Sequence, residues 1–194
     1  MKTIKISIFI ALILVIKETA VQAQAWQKNS HVFSIGFGAS KFYHLDDYYY
    51  GNSHPVHNYY RPVTGQLNFQ GEFGIHPYVG LGFTTGVGGR GGWTNDYNGE
   101  FNIPVGMLSN FHFYQLISDK SKKNIHADKM DIYAGLSIGS GIAFTYYPND
   151  NRAVPIAFGG VHAGIRYYFS DKVGVNAEIG LGKNLINAGF VFRN

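Results

Sequence analysis

The sequence predicts an all-β fold class, a transmembrane up-and-down antiparallel β-barrel of about eight strands. Three observations carry this. After residue 30, apolar residues alternate with small or polar ones over most of the chain, the mark of strands with two different faces. Charged residues make up 14% of the 194 residues, against about 25% in soluble domains. The mean hydropathy of -0.08 is nevertheless too low for a bundle of membrane helices, because Gly (25), Tyr (14) and Phe (15) have replaced the charge.

Ahead of the barrel, Lys2 and Lys5 precede the apolar run 6–16, and Val21-Gln22-Ala23 offers a small-residue cleavage site. This is the three-part layout of a secretory signal peptide. The expected organisation is a cleaved signal peptide at 1–23, a short N-terminal segment at 24–30, and a barrel at 31–194. Removal of the signal peptide leaves 13 basic and 11 acidic residues, so the net charge falls from +4 to +2. Neither that balance nor any basic stretch points to a nucleic-acid partner. With no Cys, disulfides, thiolate metal sites and Cys nucleophiles are excluded.

The strands follow in order. Residues 33–39 form a weaker first segment. Next come Leu67, Phe69, Phe73 and Ile75 opposite Gln66, Asn68, Gln70 and Glu72, then Val79, Leu81, Phe83 and Val87 opposite Gly80, Gly82, Thr84 and Gly86. Residues 101–113 are a second weak segment, in which Pro104 predicts a bulge or a strand end because proline lacks a ladder donor. Ile132, Ala134, Leu136 and Ile138 oppose Asp131, Gly135, Ser137 and Gly139, followed by a weak segment at 161–169. The clearest alternation, Val173 to Leu181 by twos against Gly174, Asn176, Glu178 and Gly180, precedes a last weak segment at 186–192. No helix is expected after residue 30.

The connectors alternate in length. Residues 42–62, 88–98 and 148–155 are long and polar, Tyr-rich or Gly-rich, whereas His76-Pro77 and Ser170-Asp171-Lys172 are tight. Long outer loops and short periplasmic turns give this rhythm in outer-membrane barrels. Two connectors depart from it. Residues 117–129, with Lys120, Lys122, Lys123 and Lys129, are too long for a tight turn, and the outer loop at Lys183-Asn184 is very short.

Alternation alone fits both a soluble barrel with an apolar interior and a membrane barrel with an apolar exterior. The second face decides, since Gly, Ser, Asn and Gln suit the narrow inside of a small barrel better than a solvated surface. Closure then satisfies every backbone donor and acceptor within hydrocarbon. Tyr78, Tyr114, Tyr146, Tyr147, Tyr167, Tyr168 and Phe169, near strand ends, are expected in interfacial girdles.

Four stretches carry a family likeness: His76-Pro77-Tyr78-Val79-Gly80-Leu81-Gly82-Phe83, Ile103-Pro104-Val105-Gly106, Asp131-Ile132-Tyr133-Ala134-Gly135-Leu136 and Gly164-Ile165-Arg166-Tyr167-Tyr168-Phe169. With them the chain resembles the small outer-membrane β-barrel proteins of Bacteroidota, an OmpA/OmpX-like group labelled "porin family". The likeness spans most of 31–194 and implies fold and outer-membrane location rather than activity. The ending Gly189-Phe190-Val191-Phe192 resembles the last-strand signal read by barrel-assembly machinery. Family members end on the aromatic, whereas Arg193 and Asn194 follow it here.

Inward parity places Arg166 and Glu178 on adjacent strands and predicts an ion pair between them. Glu72, Asp131, His162 and Asn176 share that face and extend a lumen polar network, because a charge away from water needs partners. Such a network reads as a structural plug or as a gate or proton path. In the first outer loop, His44, Asp46, Asp47, His54 and His57 offer metal-ligand types, but their spacing matches no established site. Ser53-His54 with Asp46-Asp47 offers hydrolase types without a recognisable motif. The glycines around Arg90 lack the following helix that a phosphate-cradling loop needs.

The expected protein is therefore a non-enzymatic outer-membrane barrel with no cofactor and no metal. Outer-membrane lipid and the assembly machinery are its expected partners. Contacts with an envelope protein or polysaccharide are expected through Tyr48, Tyr49, Tyr50, Tyr59, Tyr60, Trp93 and Tyr97. The alternatives are a soluble periplasmic ligand-binding barrel, which needs the aliphatic face turned inward, and an outer-membrane hydrolase.

Overall fold

The two faces set by the alternation become the inside and outside of a closed sheet. The computed structural model describes residues 24–45, 63–94, 97–121, 125–147 and 150–194, with backbone alone at 92–94, 97–98, 147 and 150. The expected signal peptide at 1–23 lies outside the described residues. The elements are β1 (His31–Ser40), β2 (Tyr43–His44), β3 (Thr64–His76), β4 (Val79–Thr94), β5 (Tyr97–Phe111), α1 (Phe113–Ser121), β6 (Met130–Tyr147), β7 (Asp150–Tyr168), β8 (Val173–Gly180) and β9 (Ile186–Arg193). Every pairing is antiparallel, and β1 with β9 and β7 with β8 close β1 and β3–β9 into a ring of eight.

Phe37, Met107, Leu136, Ile138, Ile179 and Leu181 point outward and are each more than half exposed, while Gln66, Asn102, Asp131, Arg166 and Glu178 point inward and are buried. This inverts a soluble barrel. The aliphatic face that a soluble ligand-binding barrel would turn inward lies outside.

Four sequence expectations are corrected. Pro104 makes neither a bulge nor a strand end. It pairs with Gly141 on β6, while on the β4 side the register stays constant and the ladder skips from Thr85↔Val105 to Gly88↔Asn102. The missing donor thus costs local pairing on one side only, and the Pro104 carbonyl accepts from Thr85 Oγ1 at 3.0 Å. The irregularities fall instead at Gly74/His76 and Gly91/Thr94.

The Gly-rich stretch from residue 88 and the residues before Pro155 belong to strands rather than to long loops, because β4 runs to Thr94 and β7 starts at Asp150. Glycines at inward positions mark a narrow lumen, not a loose chain: a Cβ on Gly88 would meet the Gln66 side chain. The 101–113 segment ends as a strand at Phe111, and a helix, α1, follows despite the expectation of none. Phe111 and Phe113 mimic period two, but Phe113 already belongs to the helical turn, where Gln115 Nε2 donates to Asp119 Oδ1 at 2.8 Å.

Tyr168 is not a girdle residue. Its even parity on β7 points it inward, fully buried beside Ala25, Trp26, Val32 and Val191. Tyr146, Tyr167 and Phe169 are exposed on the outside, and the Tyr147 side chain lies outside the described residues.

The wall is lopsided. β8 and β9 have 8 residues each, against 16, 15, 18 and 19 in β4, β5, β6 and β7. Beyond the short β8–β9 hairpin the chain leaving β1 crosses over as β2 and pairs directly with β7, Tyr43↔Ala157 and His44↔Ile156. Tyr43 and Leu45 continue the apolar exterior there, and Phe42 turns inward onto Phe158 with ring centroids 5.7 Å apart.

Candidate functional site

The lumen holds three layers between the lower end, where β1 starts and β9 finishes, and the upper end with its long strands. Phe42, Ala143, Ile156 and Phe158 form an apolar plug above, and Ala25, Trp26, Val32, Tyr168 and Val191 form another below. Ionisable side chains fill the space between.

The expected Arg166–Glu178 pair does not form. Register sets Arg166 opposite Asn176 and Glu178 opposite Gly164, so the two are displaced by two residues along adjacent strands. Tyr133 from β6 stands between them: the Arg166 guanidinium lies 4.2 Å from its ring centroid, and its hydroxyl donates to Glu178 Oε2 at 3.1 Å. Arg166 instead donates through Nη1 to Asp131 Oδ2 at 3.2 Å and through Nη2 to Glu72 Oε2 at 2.5 Å. Asp131 is its register partner on β6. Glu72 sits on β3, four places from β7 around the ring of eight, so this bond spans the lumen.

His112, just past β5, completes the lower ring. Its Nε2 donates to Glu72 Oε1 at 2.8 Å and its Nδ1 to Asp131 Oδ1 at 2.9 Å. A neutral imidazole has one N–H, and two carboxylates facing two ring nitrogens call for both. Burial opposes the charge on His112, yet Asp131 and Glu72 outweigh it and hold the imidazole pKa above its usual 6.5.

Glu178 takes its ion partner from the short loop between β8 and β9. Lys183 Nζ donates to Glu178 Oε1 and, at 2.9 Å, to Gln70 Oε1, while Asn184 Nδ2 donates to the same carboxylate at 3.2 Å. Three carboxylates, Glu72, Asp131 and Glu178, thus face three cations, Arg166, Lys183 and protonated His112. This charge balance is what buried ionic groups require.

His162 and Asn176 are both buried, His162 opposite Gly180 and Asn176 opposite Arg166. His162 Nε2 bonds Asn110 Oδ1 at 2.7 Å, outside the ionic ring, and Asn176 Oδ1 has no hydrogen-bond partner. Above the upper plug, His44 Nε2 lies 3.4 Å from Glu100 Oε2. Trp26, His112, Tyr133 and Lys183 were missed by the strand reading. His112 and Tyr133 carried a signal, because both keep the inward parity of their strands' neighbours.

Tyr48, Tyr49, Tyr50, Tyr59 and Tyr60 lie outside the described residues. So do Asp46, Asp47, Ser53, His54 and His57 of the metal and hydrolase readings; His44, the remaining candidate metal ligand, is described and lies on β2. Trp93 and Tyr97 belong to β4 and β5 by backbone, and their side chains lie outside the description. Among the described residues, no group of three or more His, Cys, Asp or Glu is arranged to hold a metal ion.

No family model and no curated protein matches the sequence. Among solved structures, the chain is similar to the outer membrane protein OprG of Pseudomonas aeruginosa, with a TM-score of 0.54 at 8% identity over 90% of this chain and 99% of that one. It is similar to the N-terminal β-barrel domain of Pseudomonas aeruginosa OprF, with 0.52 at 9% identity over 87% and 98%. It is also similar to Ail, the attachment invasion locus protein of Yersinia pestis, solved with the heparin analogue sucrose octasulfate, with 0.51 at 12% identity over 87% and 100%. At these identities the likeness speaks to fold: an eight-stranded antiparallel barrel of the transmembrane, outer-membrane type.

Proposed function

We propose that the protein is an integral outer-membrane barrel without enzymatic activity, its lumen filled by side chains and its outer loops making contacts in the cell envelope. One observation carries this reading: Phe37, Met107, Ile138 and Leu181 outside, Glu72, Asp131, Arg166 and Glu178 inside. An apolar exterior on a closed sheet suits hydrocarbon, which tolerates β-structure only where every backbone group is paired. The signal-peptide pattern at the N-terminus supports export. In this reading the lower end, with the tight turns and both strand termini, faces the periplasm.

Lipid surrounds the apolar belt, and the assembly machinery inserts the chain by its aromatic last strand. Tyr48, Tyr49, Tyr50, Tyr59, Tyr60, Trp93 and Tyr97 meet an envelope protein or polysaccharide partner, since loops carried on a rigid barrel are where binding residues concentrate. No cofactor or metal enters this role. The ionic layer acts as a structural plug rather than as a gate, as its balanced pairing supports.

Membrane fractionation with a gel run before and after boiling tests the reading. A boiling-sensitive mobility shift in the outer-membrane fraction is expected, and recovery in the soluble periplasm overturns it. Lipid or peptide hydrolysis that is lost in His54→Ala would favour the hydrolase alternative.

A further inference from the structure

The short segment before β1 is built into the lower mouth of the barrel. Trp26 is fully buried and stacks on His112, with ring centroids 3.6 Å apart and planes 7° from parallel. A Cβ on Gly80 would overlap Glu72 Oε1 and stand 2.7 Å from the Trp26 ring, so this glycine makes room for both. Trp26 Nε1 has no hydrogen-bond partner. Beyond the stacking and the packing of Ala25 and Trp26 with Val32, Tyr168 and Val191, the segment is held through its backbone.

Four such ties reach the rest of the barrel, and the first of them comes from a side chain that also holds two turns. Arg193 Nη1 donates to Gln24 O at 2.9 Å, Nη2 to Asp128 O at 3.1 Å and Nε to Asp171 O at 2.6 Å. The guanidinium also lies 4.0 Å from the Tyr168 ring centroid. One residue therefore grips the N-terminal segment, the turn before β6 and the turn before β8 together. Ala25 N donates to Ala127 O at 2.7 Å, Asn29 N to Gly74 O at 2.7 Å and Gly74 N to Ser30 O at 2.8 Å, which fix the segment at two further sides of the mouth without closing it over Gln24.

Arg193 is the last residue of β9, and it reaches this position only when β9 lies along β1, Val32↔Arg193. Asn194 strengthens the same seam: the His31 backbone N donates to its Oδ1 at 3.0 Å. The two polar residues that follow the terminal aromatic thus have a structural task.

We propose that residues 24–30 are a lid over the lower mouth, latched by Arg193, and that the lid docks only after β9 has closed the ring against β1. Releasing the latch opens the ionic layer of Glu72, Asp131, Arg166 and His112 to water from that end while leaving the barrel closed. The inference rests on the proposed barrel, but its test is done in detergent and does not depend on membrane location or orientation.

The chain has no cysteine, so Ala25→Cys reports on the lid alone. In the refolded barrel, a water-soluble maleimide should label this position slowly. Adding Arg193→Ala should raise the rate at least tenfold while the boiling-sensitive gel shift is retained. Sampled during refolding, protection of Ala25→Cys should appear after the shifted band. Unchanged labelling in Arg193→Ala, or protection that precedes the shifted band, overturns the proposal. Should Arg193→Ala give no shifted band, Arg193→Lys keeps the charge and loses the three-way fork, and the same tenfold criterion applies. Absence of any gel shift in the parent protein would instead count against the barrel itself.

Discussion

Asp131 and Arg166 face each other in register on β6 and β7 and share a 3.2 Å hydrogen bond, and Arg166 also reaches Glu72 on the opposite wall. The guanidinium therefore ties a neighbouring strand and the far side of the ring at one level. Neither bond is the Arg166–Glu178 pair expected across the β7–β8 turn, and together they decide which substitutions matter.

Arg166→Met should be among the most damaging single changes in the lumen. It leaves Glu72 and Asp131 with His112 as their shared cation, and removing one partner of a buried pair costs about 3–5 kcal/mol. The midpoint of the boiling-sensitive gel transition should fall well below that of the parent. An unchanged midpoint counts against the network.

Lys183→Met removes the cation from Glu178 and should also lower that midpoint. Combining it with Glu178→Gln removes the stranded charge, so the double variant should recover much of the loss. A double variant as unstable as the sum of the two singles would mean that they do not act as a pair.

Tyr133→Phe keeps the ring beneath Arg166 and deletes the hydroxyl that donates to Glu178. A hydrogen bond to a charged group is worth about 1.5–3 kcal/mol. Thermal unfolding of the two proteins side by side reads this difference, and equal midpoints would assign Tyr133 to packing alone.

Burial disfavours charge on His112, but Asp131 and Glu72 prevail and raise its pKa. A pKa raised in the folded state gives stability that is complete below the unfolded value of about 6.5 and is lost as pH climbs through the folded value. Relative to His112→Gln, the parent barrel should be most favoured at mildly acidic pH, with the gap narrowing on the alkaline side. Stability curves that run parallel across that range would contradict this assignment.

Much of the fold was legible because period two is local: Val173 to Gly180 sorts itself without knowledge of its neighbours. What failed needed information that strands do not carry. The partner of Arg166 depends on register and on the curvature that brings β3 opposite β7, and neither can be read from spacing. A glycine run such as 88–92 reads as a loop, although Gly88 is an inward strand position at which a Cβ would meet Gln66. β2 is a two-residue strand set by the shortness of the β8–β9 hairpin, a relation between distant segments. Trp26 stood outside every pattern, although a lone aromatic ahead of the first strand was there to be noticed.

The two apolar plugs, Phe42 with Phe158 above and Trp26 with Tyr168 below, have an electrical consequence. A charge-balanced layer between two such clusters offers little to a passing ion, which would meet Glu72, Asp131 and Glu178 already paired with Arg166, His112 and Lys183. The barrel should therefore carry little current when a voltage is applied across the bilayer, however many charged side chains line its middle.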